Sequence, residues 1–152
     1  MTRETKSPRI EMTKLAPAIY EQMRGFTPLI KDCGIDGSLP ELIKVRASQL
    51  NGCAFCLDMH IREAKQHGVT DNQLNLLAAW HDAPLFSDPE RAALELTEAV
   101  TRISAEGVPN ELYERVRQFY SPEQYIGLLT TINVINAWNR FMIAFDVPPR
   151  FS

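Results

Sequence analysis

Apolar residues recur along the chain at three- and four-residue intervals, the spacing of a helix face buried against a core. Leu42, Ile43, Val45, Ala47 and Leu50 form one such set, and Asn51-Gly52 breaks it. A second set begins near Cys53 and stops at Gly68. A third holds Leu74, Leu76, Leu77 and Trp80, ended by Asp82-Ala83-Pro84. A fourth runs through Ala93, Leu94, Leu96, Val100 and Ile103 to Gly107, and a shorter one follows from Pro109-Asn110 to about Tyr120. The starts share one signature, a Ser or Thr cap with Glu or Gln three residues later: Ser38-x-x-Glu41, Thr70-x-x-Gln73, Ser87-x-x-Glu90 and Ser121-x-x-Gln124.

Between Ala16 and Cys33 the composition is helical, but Gly25 and Pro28 predict two short pieces rather than one. No segment alternates apolar and polar residues with the strand period, and no Gly-rich phosphate loop is present. The prediction is an all-α domain of about six to eight helices over residues 13–152, preceded by a polar arm at 1–12.

The chain has 152 residues, room for one domain with one sizeable core. Its 16 Lys and Arg against 19 Asp and Glu leave no basic excess to neutralise nucleic acid or an anionic bilayer, so neither is an expected partner. The first eight residues lack the apolar run of a secretory signal, and a cytoplasmic protein is expected. Tyr125 to Phe145 is the longest apolar stretch, but Asn133, Asn136, Asn139 and Arg140 within it predict a buried helix rather than a membrane span.

Reactive side chains concentrate in one segment, Cys53-Ala54-Phe55-Cys56-Leu57-Asp58-Met59-His60. On a helix, positions 53, 56 and 60 share a face, so His60 can accept a proton from Cys56 while the helix N-terminus favours the thiolate. Two thiols one turn apart suit peroxide chemistry, in which one sulfur is oxidised to a sulfenic acid and the other closes a disulfide upon it. Two other readings compete: zinc held by Cys53, Cys56 and His60 with His67 or Cys33, and two inert core cysteines. His67 is expected to complement a helix C-terminus, His81 to lie at the surface or in packing, and Cys33, Trp80 and Trp138 to be core residues.

The run from Glu41 through Arg46, Ser48, Asn51-Gly52 and Cys53-x-x-Cys56 to His60 resembles the core of the carboxymuconolactone decarboxylase superfamily, in its alkylhydroperoxidase D branch. Ile135-Asn136-Ala137-Trp138-Asn139-Arg140 is similar to a C-terminal stretch of related members. The resemblance implies an all-helical fold assembled as a homotrimer or homohexamer. It implies a thiol peroxidase of antioxidant defence that needs no cofactor or metal and is recharged by a dithiol or lipoyl-type reductant. Cys56 would attack the peroxide, Cys53 resolve it, His60 accept the proton and Glu41 relay it. Phe55 stands where the best-characterised branch has a histidine, which implies a weaker relay. A thiol-disulfide oxidoreductase and a redox-sensing oligomer are the alternatives, and the cysteine pair argues against a decarboxylase. For Glu41 a structural role is open as well, because Ser38-x-x-Glu41 could be only a capping box.

Overall fold

The computed structural model describes residues 7–150, and among them the only regular structure is helical. Ten α-helices follow in order: α1 Met12–Leu15, α2 Pro17–Arg24, α3 Phe26–Asp32, α4 Leu39–Asn51, α5 Ala54–Gln66, α6 Asp71–Leu76, α7 Asp88–Thr101, α8 Ile103–Glu106, α9 Asn110–Arg117 and α10 Pro122–Ala144. A 3-10 turn, Leu77–Ala79, extends α6. Ten segments exceed the expected six to eight because α1 and α8 are single turns. The helix expected to run from Ser87 to Gly107 is broken at Arg102, whose backbone (φ −106°, ψ 38°) leaves the helical region. The two short pieces expected before Cys33 are α2 and α3.

Helix starts follow local chemistry closely at three places. Thr70 with Gln73, Ser87 with Glu90 and Ser121 with Gln124 each form a reciprocal capping box. The fourth predicted box does not form. Ser38 is itself in the right-handed helical region and makes no side-chain cap bond. A capping hydroxyl needs extended backbone at its own residue, so Glu41 is released from the helix end.

The centre of the molecule is α4, which packs against α5, α7 and α10. Its Leu42, Ile43, Val45 and Ala47 are all fully buried, as expected of a helix apolar on more than one side. Ile43 joins the apolar cluster of α3, α7, α9 and α10, around Leu96, Val116, Leu128 and Ile132. Leu42 and Val45 join a second cluster with Leu77, Trp80, Phe86 and Leu94. No helix among the described residues is long and apolar enough to cross a membrane. At 23 residues α10 is about 35 Å long, and it lies against α3, α4 and α7.

Close approach of α10 to the α3 end depends on Gly127. A Cβ there would stand 2.8 Å from both Cys33 Cβ and Ile35 Cγ1. The other conformationally required glycine is Gly52 (φ 70°), which ends α4 in the left-handed region while Cys53 N–H donates to the Ser48 carbonyl. This turn is tied to α10 by side chains. Asn51 donates to Asn136 Oδ1 and Asn139 Oδ1, both at 2.9 Å, and Asn139 donates to Ser48 Oγ at 3.0 Å. Asn136 in turn donates to Thr101 Oγ1 on α7. The corner that carries Cys53 is therefore held from two sides.

Of the expected polar arm, residues 1–6 lie outside the described residues. Beyond them, Arg9 N–H donates to the Phe145 carbonyl and Met12 is buried, so this part of the chain lies against the C-terminal stretch.

Candidate active site

Cys53 is the N-cap of α5, with extended backbone, and its sulfur accepts from Cys56 N–H at 3.4 Å. Cys56 lies one residue short of a full turn inside the helix. The two sulfurs are disulfide-bonded, with Cα atoms 5.3 Å apart, and each residue is almost fully buried. The free cysteine is Cys33, which is half-buried.

A cavity of about 1090 Å³ opens between the start of α4, α5, α10 and the two chain ends. Cys56, His60 and Glu41 line it, and Cys53 does not. The two cysteines therefore differ in access: one faces the cavity and the other stands behind it. The remaining wall is largely apolar, with Phe55 and Met59 of α5 and Trp138 and Met142 of α10. Trp138, expected to be core, is a wall residue braced edge-on by Tyr20 at 5.4 Å. At the mouth, Arg150 lies over the Phe55 ring and its backbone N–H donates to Asp58 on α5.

His60 is buried on the face of α5 that carries Cys56. Its Nδ1 is 2.9 Å from Glu63 Oε2, one turn along the same helix, and 3.7 Å from Glu41 Oε2 on α4. The second distance exceeds hydrogen-bond reach, so Glu41 acts on the imidazole as a nearby charge. Lys44 donates to Glu41 Oε1 at 2.8 Å, which leaves Oε2 buried with no hydrogen-bond partner.

Burial by itself would push the imidazole below its ordinary value of 6.5. The two carboxylates outweigh burial and the Lys44 charge, and His60 titrates above that value. Burial likewise acts to raise Glu41, but His60 and Lys44 hold it below 4.5. Glu63 is lowered chiefly by its hydrogen bond with His60, against burial. The result is a histidine of raised basicity between two ionised carboxylates on a cavity wall.

The structure thus brings Cys53, Cys56, His60 and Glu41 to one site. Sequence reasoning missed Lys44 and Glu63, although each stands three residues after a residue it did single out, the spacing at which helical side chains meet. The zinc set imagined from the sequence does not assemble. Its two sulfurs are bonded to each other, and His67 is spent on the Glu63 carbonyl at 2.9 Å, its expected role at a helix end. Among the described residues, the side chains able to hold a metal together are Glu41, His60 and Glu63, whose ligand atoms lie within 4.8 Å of one another. His81 stacks on Trp80 at a ring distance of 3.6 Å, away from the cavity.

The model of the carboxymuconolactone decarboxylase family matches residues 17–99, a span that holds the cysteine pair, His60, Glu41 and Glu63. The chain belongs to this family, in its AhpD-like branch. It is 44% identical to the uncharacterized protein YdfG of Bacillus subtilis over 138 residues, covering 91% of this chain and 94% of that one. Among solved structures it is similar to a protein of unknown function from Agrobacterium tumefaciens described as a putative antioxidant defence protein AhpD. That likeness has a TM-score of 0.91 and 32% identity, over 96% of this chain and all of the other. The debrominase Bmp8, solved with 2,3,4-tribromopyrrole, shares the fold at TM-score 0.77 and 21% identity, over 88% of this chain and 72% of Bmp8.

Proposed function

We propose that this member of the family is a thiol peroxidase that reduces organic hydroperoxides or hydrogen peroxide through Cys56 and Cys53. The observation that carries the reading is the placement of Cys56 on the cavity wall beside the His60–Glu41–Glu63 group, with Cys53 bonded to it from behind. In the reduced protein His60 takes the Cys56 proton, and a basicity raised by two carboxylates suits it to do so. The Cys56 thiolate attacks the distal peroxide oxygen. The O–O bond breaks, Cys56 becomes a sulfenic acid, and the leaving alkoxide takes a proton back from His60 to depart as alcohol. The Cys53 thiol then displaces hydroxide from the Cys56 sulfur, forming the disulfide and releasing water. A dithiol restores both thiols by exchange and is itself oxidised to a disulfide, with a lipoyl-type dithiol as the proposed donor.

Glu41 stabilises the imidazolium charge and relays its proton once the pair closes to hydrogen-bond distance during turnover, a role open to it because Ser38 does not engage it as a cap. We place the protein in antioxidant defence in the cytoplasm and assign it a homotrimeric or homohexameric assembly. In favour of assembly, Leu15, Ile19 and Leu29 near the N-terminal end and Ile126 on α10 are exposed large apolar side chains.

The test is one equivalent of peroxide added to reduced, metal-free protein. Two thiols should disappear, one Cys53–Cys56 disulfide should form by mass spectrometry, and Cys33 should stay reduced. Persistence of both thiols removes the peroxidase reading. A second reading, a thiol-disulfide oxidoreductase acting on another disulfide, is favoured by the capped sulfur of Cys53, because a thiolate leaving there would be stabilised by Cys56 N–H. Exchange with disulfide substrates but inertness to peroxide would select it.

A further inference from the structure

Three ligand atoms of different chemistry converge at the cavity wall, and the peroxidase reading needs only one proton among them. Glu63 Oε2 is 2.9 Å and Glu41 Oε2 3.7 Å from His60 Nδ1, and all three atoms lie within 4.8 Å of one another. A tetrahedral zinc with ligands near 2.1 Å needs ligand-to-ligand edges of about 3.4 Å. The two edges on His60 straddle that figure, and the third, between the carboxylates, is no longer than 4.8 Å, so modest side-chain shifts close the group on a cation.

A second observation points the same way. Glu41 is about nineteen-twentieths buried, its Oε1 is taken by Lys44, and its Oε2 has no hydrogen-bond partner while facing His60. A buried carboxylate oxygen without a partner carries a desolvation penalty that a cation would remove. We infer that Glu41, His60 and Glu63 form a binding site for one first-row divalent cation of the zinc type, with its fourth position open to the cavity. Imidazole nitrogen with two carboxylates suits such an ion, whereas Mg²⁺ prefers six oxygens and would not take Nδ1. The two carboxylates exceed the Lys44 charge by one unit, so a dication enters a site of net negative charge once His60 is neutral.

The effect on chemistry rests on the peroxidase reading: a cation that replaces the proton on Nδ1 forces the remaining imidazole proton onto Nε2, so His60 can no longer accept the Cys56 proton and the thiol is silenced reversibly. Binding itself does not rest on that reading, because it is measured on the disulfide form, where neither sulfur is available to metal and no peroxide is present.

The experiment is calorimetric titration of the oxidised, metal-free full chain with Zn²⁺, repeated with Co²⁺ to read tetrahedral coordination from its visible absorption. Saturable one-to-one binding is expected, with no heat from Mg²⁺. Glu63→Gln, whose side chain is two-fifths exposed and tolerates change, should weaken binding at least tenfold, and His60→Gln should abolish it. His67→Ala should leave it unaltered. Absence of saturable Zn²⁺ binding overturns the site, and so does undiminished binding by Glu63→Gln and His60→Gln at unchanged circular dichroism. A site that binds while peroxide turnover ignores the ion supports the inference and counts against the relay role of His60 instead.

Discussion

Asn139→Ala probes the clamp that holds the cysteine corner. Asn139 is fully buried on α10, accepts from Asn51 at 2.9 Å and donates to Ser48 Oγ at 3.0 Å. Two buried hydrogen bonds contribute about 2 kcal/mol, since each is worth about 1 kcal/mol net. Losing the carboxamide leaves a void of roughly 30 Å³, which at about 24 cal/mol per Å³ adds about 0.7 kcal/mol. The expected loss is therefore about 3 kcal/mol, or a melting point lower by about 6–12 °C for a domain of this size. Urea denaturation of the oxidised protein should show this as a shifted midpoint with an unchanged slope. Asn51 keeps its bond to Asn136, so the Asn51→Ala/Asn139→Ala double variant should lose less than the sum, with a coupling of at least about 0.5 kcal/mol. Because the same bonds fix the turn that presents Cys53, dithiol should reduce the disulfide of Asn139→Ala faster than that of wild type. A destabilisation below about 0.5 kcal/mol, the scale of a neutral surface change, would refute the argument that this network holds the corner.

The two cysteines should fail differently. Cys56→Ser should abolish reaction with peroxide, while Cys53→Ser should accumulate a trappable sulfenic acid at Cys56 and turn over poorly; the reverse pattern would make Cys53 the nucleophile. Glu41→Gln should slow Cys56 oxidation on the order of 10²-fold, the scale of a positioned acid–base group, with the fold intact by circular dichroism; an unchanged rate from about pH 6 to 9 would remove Glu41 from the mechanism. Stability should depend on pH through the same cluster. His60, raised above 6.5, contributes fully below that value and loses its contribution as pH rises through the raised one, whereas Glu41 and Glu63, held below 4.5, contribute fully above that value and lose theirs on acidification. The difference in melting temperature between wild type and His60→Gln should therefore be largest between pH 4.5 and 6.5, and a flat difference would contradict the cluster. Gly127→Ala should cost about 1–3 kcal/mol in chemical denaturation through overpacking against Cys33 and Ile35, and a neutral result would mean that α3 and α10 can part without cost.

What could be read from the sequence was local. The boxes at Thr70, Ser87 and Ser121 are closed by partners three residues away, so the chain specifies them before any packing occurs. The face shared by Cys56 and His60 is equally local, since one helix of ordinary pitch places them there, whereas Cys53, expected on the same face, stands just outside that helix as its N-cap. Ser38-x-x-Glu41 carries the same pattern as the three boxes that form, yet it does not close. There the choice lay between a partner three residues back and one three residues on, Lys44, and only the docking of α4 against α5 put Glu41 beside His60, nineteen residues on. Lys44, three residues on along α4, takes one oxygen of Glu41 by local spacing, and the docking buries the other without a hydrogen-bond partner. Access, too, was a tertiary decision: spacing makes Cys53 and Cys56 neighbours, but α10 and the chain ends close the cavity around Cys56 and Trp138 and leave Cys53 behind it. A side chain's short-range options are written in its neighbours, and which option it takes depends on what distant helices bring within a few ångströms of it.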